Sequence, residues 1–307
     1  DLAQQNYPLV KQRELIRQTT GYTVDNLSKG FLQQVSLNGQ ATYQSEVTQV
    51  KIPVPGVTVD PLSKDQYKIP ADVNQLIYDG GVIKQQKAIQ QLNEETEQQK
   101  VDVELYKLKE RINQLFLGVL FLDEQLKQVE LVKADLNNGI KRVQAQVDNG
   151  VAFRSNLNVL KAELLKAEQR AIELSASRTG FIAVLGLFIN QTLQENIKLE
   201  RPVATSPVIT AEIQRPELIL YSAQEKLLGS QFKLIDSRNK PKASLFWQGG
   251  LGRPGLNFLR NEFAFFYTTG LRLHWSFGGL YTQKREKKII ELNQKSINIQ
   301  KEVFVFN

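Results

Sequence analysis

Four stretches of the chain alternate apolar and polar residues with a period of two, which predicts β-strands with one apolar face. The first stretch runs from Val35 to Tyr43, and the second runs roughly from Gln66 to Tyr78. Residues 51–65 between them include three prolines, so they are predicted to form a loop. The apolar side of these two strands is expected to carry the following residues: Val35, Leu37, Gly39, Ala41, Tyr43, Tyr67, Ile69, Ala71 and Val73.

The other two alternating stretches lie in the last third of the chain. Their apolar sides are expected to carry Ala243, Leu245, Trp247 and Leu251 in the third strand, and Phe263, Phe265, Tyr267, Leu271, Leu273, Trp275 and Phe277 in the fourth. Strands of about ten residues with aromatic side chains near their ends are what a membrane β-barrel requires. A soluble β-sandwich would alternate in the same way, so the pattern alone leaves both architectures open.

The chain between the second and third strands predicts long helices. From Val82 to Val147 there is no proline, and apolar residues recur at steps of three and four, as in a coiled-coil seam. A helix of this length would measure about 100 Å. Gly150 is suited to its C-terminal cap, and Ser155 or Asn156 can cap the returning helix.

The returning helix is predicted to run to about Phe188 with the same seam. An irregular segment over Thr192–Ala211, which contains Pro202 and Pro207, interrupts the helical pattern. A further helix is expected from Arg215 to Arg238, directly before the third strand.

The two ends of the chain repeat one pattern. When Pro8 is aligned with Pro216, Leu37 falls on Leu245, and further on Gly80-Gly81 match Gly278-Gly279. Each copy reads helix, strand, loop, strand, Gly-Gly and long helix. The Gly-Gly pairs are interpreted as strand-to-helix turns, where glycine permits positive φ and close backbone approach.

Composition narrows the classes of function. The 307 residues include no cysteine, which excludes disulfides, cysteine nucleophiles and zinc–thiolate sites. His274 is the single histidine and has no evident Ser or Asp partner, so a multi-histidine metal site is excluded and a catalytic base is disfavoured. The net charge of +7 is too thinly spread to indicate nucleic acid. We therefore expect no catalysis, no metal and no cofactor.

The apolar runs are too short to predict a membrane-spanning helix. The longest, Leu115–Leu122 and Phe181–Ile189, are broken by Gly118 and Gly186 and fall short of the about 20 residues that a span needs. Four strands cannot close a barrel alone, since the smallest membrane barrels need about eight. If these strands cross a membrane, several chains must share one barrel.

Together these features resemble the TolC family of outer-membrane efflux and secretion proteins. The resemblance is carried by Tyr7-Pro8-Leu9 and Arg215-Pro216-Glu217-Leu218 at the two helix starts, Gly30-Phe31-Leu32 before a strand, the turns around Tyr78–Gly81 and Phe277–Gly279, and Asn149-Gly150-Val151 with Asn156-Leu157 at the hairpin tip. It covers essentially the whole chain.

The resemblance implies an α+β fold with an internal repeat, in which long antiparallel coiled-coil-like helices are combined with four strands. It also implies a homotrimer that shares one twelve-stranded outer-membrane β-barrel, continued by a helical tunnel across the periplasm. The implied partners are outer-membrane lipid, a periplasmic membrane-fusion adaptor and, through the adaptor, an inner-membrane transporter. By the same analogy the adaptor-contact positions at the tip are Asn149, Gly150, Ser155 and Asn156, although relatives often carry aspartate where Asn156 stands.

The sequence predicts the following segments: 1–30 first helix, 31–79 first membrane strand pair, 80–190 long periplasmic helical hairpin, 191–213 irregular equatorial segment, 214–240 second-repeat helix, 241–278 second membrane strand pair and 279–307 start of a second long helix. Because the second hairpin of the family is missing after Asn307, a truncated chain is expected. An aromatic girdle at the membrane is expected from Tyr43, Tyr67, Trp247, Tyr267 and Trp275.

The functional hypothesis is a passive outer-membrane duct of a tripartite efflux pump or a type I secretion system. The alternative is a soluble periplasmic coiled-coil adaptor or scaffold, in which the strands would form a sandwich and bury Trp247 and Trp275.

Overall fold

The structure is a computed structural model that describes residues 2–48, 61–203, 215–257 and 259–306. Its elements in chain order are α1 (Leu2–Asn6), α2 (Leu9–Ser28), a 3₁₀ turn (Lys29–Phe31), β1 (Gln34–Leu37), β2 (Gln40–Tyr43), β3 (Asp65–Tyr78), α3 (Val82–Asp148), α4 (Arg154–Ile189), α5 (Pro216–Arg238), β4 (Lys242–Arg253), β5 (Ala264–His274) and α6 (Leu280–Phe306). The predicted loop 51–65 and the predicted irregular segment 191–213 lie partly outside the described residues. The chain is helix-rich, with one small antiparallel sheet.

The chain forms two compact units. The hairpin unit comprises Asp1–Leu15 and Gln98–Glu217, and the sheet unit comprises Ile16–Glu97 and Leu218–Asn307.

In the hairpin unit, α3 and α4 run antiparallel, since Gly139 lies closest to Leu160 and Gly118 to Phe181. The core of this packing is formed by Val119, Ile182 and Leu185. Apolar residues of the segment after α4 cover the same core, so this segment is anchored although it is irregular; they are Leu193, Ile197 and Leu199.

The sheet unit contains one antiparallel sheet in which β1 and β2 both pair with β3, β3 pairs with β4, and β4 pairs with β5. The first predicted strand is therefore divided at Asn38-Gly39, although the register to β3 is the same on both sides of the break. The reason lies in the neighbouring strand. Asn38 donates its backbone N–H to the Pro70 carbonyl at 2.9 Å, but Pro70 has no N–H to donate in return.

The turn between β3 and α3 follows the prediction for the first Gly-Gly pair. Gly80 and Gly81 have φ values of 80° and 88°. The buried Asp79 caps α3 by accepting hydrogen bonds from the backbone N–H groups of Gly81 at 2.8 Å and Ile83 at 2.5 Å.

The second Gly-Gly pair differs from the prediction, because neither Gly278 nor Gly279 has a positive φ. Close approach explains Gly279 instead: a Cβ there would lie 2.1 Å from Asn239 Oδ1. The conformational half of the prediction was therefore wrong for this copy.

One helix contradicts the expectation that none could cross a membrane. By length and composition α4 is long and apolar enough, with a mean hydropathy of 1.5 over its most apolar window. Its Arg178, however, forms an ion pair with Asp123 of α3 and donates to the carbonyls of Glu195 and Ile197. An arginine so engaged ties this face of the helix to protein rather than to lipid.

Candidate functional site

One face of the sheet is predominantly apolar along its central rows of directly opposed residues. Across the strands the rows are Val35–Val73–Trp247–Thr269, Leu37–Ala71–Gly249–Tyr267, Ile69–Leu251–Phe265 and Gln75–Leu245–Leu271. We call this surface the apolar face.

The apolar face is not covered by any other part of the chain that the structure describes. Leu37 is 75% exposed, Ile69 58% and Leu271 66%. Contiguous apolar surfaces of this kind mark contacts with protein or with a membrane, because soluble proteins otherwise bury them. Trp247 and Trp275, which a soluble sandwich would bury, are 38% and 52% exposed.

The opposite side of the sheet, which we call the polar face, carries hydrogen-bonding and charged side chains. Asp72 lies at its centre and accepts hydrogen bonds from Asn38 Nδ2 and Gln248 Nε2, each at 2.6 Å. Lys68 lies on the loop side of Asp72, and Arg272 lies toward the helices. Strands with one apolar and one polar face suit a wall between hydrocarbon and water.

Aromatic pairs stand at both ends of the apolar face. Near the loop end, the rings of Tyr67 and Phe263 stack with centroids 6.3 Å apart, and Tyr43 is exposed at the end of β2. At the helix end, the Trp275 and Phe277 rings lie 4.8 Å apart.

Two of the five predicted girdle residues do not belong to these end pairs. Trp247 and Tyr267 occupy central rows of the sheet, opposite Val73 and Gly249. Their place in a girdle stays a prediction, as does that of the other three. Phe263 and Phe277 had the same alternation signal but were not included in the predicted girdle.

The turn between α3 and α4 brings together the four predicted tip residues. Gly150 has a φ of 73° and caps the C-terminus of α3 as predicted. Val151 N–H donates to the Gln146 carbonyl at 2.8 Å, so the cap is a Schellman motif. The capping prediction for α4 was wrong. Phe153 is its N-cap, in an extended conformation with no side-chain hydrogen bond, and Ser155 and Asn156 lie inside the first turn.

All four predicted tip residues, Asn149, Gly150, Ser155 and Asn156, are exposed. The tip also presents two apolar side chains that sequence reasoning passed over, Val151 at 78% and Phe153 at 79% exposure. Exposed apolar residues beside a defined turn can form a surface for contact with another protein. The sequence signal for this surface was an aromatic residue inside a predicted turn.

An ionic contact ties the irregular segment to α3, and a local ion pair stands at the start of α5. Glu124 forms ion pairs with Lys127 at 2.8 Å and with Arg201. The hydrogen bond from Lys127, followed in size by the one from Arg201, lowers the pKa of Glu124. Arg215 donates two hydrogen bonds to Glu217, at 3.1 and 2.9 Å.

No group of three or more His, Asp or Glu side chains suited to a metal ion occurs in the described ranges. His274 ends β5 on the polar face, directly opposite Lys242.

Comparisons with known proteins were informative only at the level of structure. No family model matches the sequence, and no curated protein gives a significant sequence match. The outer membrane protein VceC of Vibrio cholerae aligns with a TM-score of 0.66 at 12% identity, covering 97% of this chain and 74% of VceC. The CmeC outer membrane channel of Campylobacter jejuni gives 0.69 at 11% identity, covering 100% and 66%.

The fold is that of TolC-family outer-membrane channels. The open MtrE outer membrane channel of Neisseria gonorrhoeae agrees, with a TM-score of 0.62 at 13% identity over 98% of this chain and 67% of MtrE. The resemblance noted in the sequence is thus confirmed for the fold, and the chain spans 66% to 74% of the length of these three structures.

Proposed function

We propose that the protein is a passive outer-membrane duct of a tripartite efflux pump or a type I secretion system. The observation that carries the proposal is the exposed apolar face of the sheet, backed by a polar face on the same strands. Four strand positions with open edges on both sides are too few for a barrel. Three chains that each contribute this sheet would close one barrel with lipid outside and water inside.

The helical hairpin has a second role in this proposal. Its tip would bind a periplasmic membrane-fusion adaptor through Asn149, Gly150, Ser155 and Asn156, and the adaptor would connect the duct to an inner-membrane transporter. The exposed Val151 and Phe153 at the same turn support a protein contact there. The duct would carry no catalytic residue, metal or cofactor, since transport needs only a continuous wet path.

The shared fold with outer-membrane channels supports the proposed location in the outer membrane. The alternative of a soluble periplasmic scaffold is disfavoured by the exposure of Trp247 and Trp275.

Heat modifiability and conductance test the proposal together. Detergent-solubilised protein in SDS should migrate as a trimer at room temperature and as a monomer after boiling, because a closed barrel has no free edge for SDS to open. The same preparation should conduct ions in a planar bilayer. A protein that stays soluble without detergent, runs as a monomer unheated and passes no current would be the scaffold instead.

A further inference from the structure

The basic side chains of the polar face are concentrated at the end where the sheet meets the helices. Lys242 begins β4 directly opposite His274, and Arg272 occupies the next row, opposite Ser244. Directly opposed residues have Cβ atoms about 5 Å apart, and successive residues on one face are about 7 Å apart along a strand. These three side chains therefore share one small part of the polar face, which we call the basic collar.

Acidic groups do not balance the collar within the sheet. Among the strand residues that the structure describes, the polar face carries three basic side chains, Lys68, Lys242 and Arg272, and one acidic side chain, Asp72. Asp72 lies four residues from the collar row along β3, or about 13 Å. The net charge of this face is thus positive, and the positive charge is greatest at the helix end.

Arg272 is held in place on the polar face by an aromatic ring. Its guanidinium carbon lies 4.6 Å from the centroid of the Phe246 ring. Gly270 stands opposite Phe246, and a Cβ at Gly270 would come within 3.1 Å of the ring, so glycine leaves the room that the ring occupies. The cation–π contact orients the guanidinium and leaves its positive charge in place, whereas a carboxylate partner would neutralise that charge.

We propose that Lys242, Arg272 and His274 form an anion-selecting collar at the helix-side end of the barrel interior. The collar would favour small anions and cargo that carries negative charge. This inference rests on the proposed function, because the polar face becomes an interior only when several chains close the barrel. Repeated around one lumen, the two cations of each chain would reinforce one another's field, because the low-dielectric wall of the barrel focuses field lines into the water-filled passage.

Reversal potentials across a planar bilayer test the collar. For the full chain under a gradient of KCl, we expect a chloride-to-potassium permeability ratio above one. Reversing both charges, in the variant Lys242→Glu/Arg272→Glu, should lower the ratio by about twofold or more, because the local counter-ion concentration follows the potential of the wall. Lys166→Glu is the matched control, since it reverses an exposed charge of α4 in the hairpin unit, and it should leave the ratio unchanged.

Two further measurements strengthen the test. The wild-type preference should weaken when KCl is raised from about 0.1 M to 1 M, because the Debye length falls from about 10 to about 3 Å. Phe246→Leu should lower the ratio without any change of charge, since Arg272 loses the ring that orients it. If the double reversal does not assemble, the neutral pair Lys242→Gln/Arg272→Gln serves in its place.

The possible failures are distinguishable. A wild-type ratio at or below one, a preference insensitive to salt, or a double variant as anion-selective as wild type would overturn the collar and leave the duct standing. A protein that gives neither an SDS-resistant oligomer nor any current would overturn the proposed function itself.

Discussion

At the scale of single residues, the hairpin unit depends on Arg178. This side chain is only 14% exposed, and it joins Asp123 of α3 to the carbonyls of Glu195 and Ile197 in the irregular segment. The apolar core formed by Val119 and its neighbours attracts the segment without fixing its path, because hydrophobic contacts are not directional. The arginine supplies that direction.

Replacing Arg178 by glutamine is expected to lower the stability of the hairpin unit by about 2–3 kcal/mol, since Asp123 and two carbonyls lose a charged donor. Arg170→Gln is the matched control in the same helix, because Arg170 makes an exposed pair with Glu173 and should cost less than about 0.5 kcal/mol. Hydrogen exchange of the α3 and α4 amides near the pair measures both. Equal protection in the two variants would contradict the assignment.

A second residue-scale contact gives a dependence on pH. Arg215 donates two hydrogen bonds to Glu217, and its guanidinium lies 4.7 Å from the Tyr106 ring centroid. The hydrogen bonds from Arg215 hold the pKa of Glu217 below its ordinary value of 4.5.

A carboxyl with a lowered pKa in the folded protein stabilises the fold above its unfolded pKa and loses that contribution as the pH falls through the folded value. The apparent melting temperature should therefore fall more steeply between about pH 5 and about pH 3 in the wild type than in Glu217→Gln. Thermal scans in matched buffers measure the difference. Parallel curves for the two proteins would argue against a native-state role for the pair.

At the scale of elements, the helices were predictable and the local breaks were not. The seam of α3 and its cap at Gly150 both depend on residues within or next to that helix. The predicted range Val82–Val147 therefore differs from the observed helix by one residue. The break between β1 and β2 depends on Pro70 of the neighbouring strand, and the α4 cap is the backbone of Phe153 without a side-chain bond. Neither the strand break nor this cap can be predicted from the alternation pattern or the capping preferences of a single segment.

The two Gly-Gly turns give an element-scale prediction because they match in the repeat but differ in geometry. Alanine at Gly80 should destabilise the sheet unit by about 2 kcal/mol or more, because φ is 80° and its Cβ would meet the Ser237 carbonyl oxygen at 2.6 Å. Alanine at Gly278 should be close to neutral, since its nearest contact would be Ser276 Oγ at 3.9 Å. The yield of SDS-resistant oligomer after refolding measures both variants. Similar losses would show that the repeat, rather than the local geometry, sets the requirement.

At the scale of the whole molecule, the decisive property is that the sheet is apolar on one side and polar on the other. The period-two pattern predicted which residues share each face, and the register puts them in common rows. Sequence alone could not distinguish a membrane wall from half of a soluble sandwich, because both bury the same side chains and differ only in what covers them. The exposure of the apolar face supports the membrane interpretation.

A lysine on the apolar face should therefore behave differently from a lysine on the polar face. Leu271→Lys is expected to reduce the stability of the membrane-inserted protein by about 2–4 kcal/mol, the cost of a cation facing hydrocarbon near the middle of a bilayer. Thr268→Lys, on the polar face of the same strand, should cost less than about 1 kcal/mol, because its ammonium group would stay hydrated. Urea unfolding from lipid vesicles gives both values, and equal costs would mean that the two faces have the same surroundings.

The most direct test of the central claim is an accessibility scan along β5. The 307 residues contain no cysteine, so single cysteines can be placed at each position from 265 to 273 without removing others. In protein reconstituted into lipid vesicles, a fluorophore at 265, 267, 269, 271 and 273 should be quenched by a lipid-borne quencher. The cysteines at 268 and 272, on the polar face, should instead react with a water-soluble, membrane-impermeant thiol reagent; position 266 shares that face but is buried within the protein. That period-two alternation between lipid and water is the predicted result; protection of the odd positions from both probes, as in a buried protein core, would contradict the account.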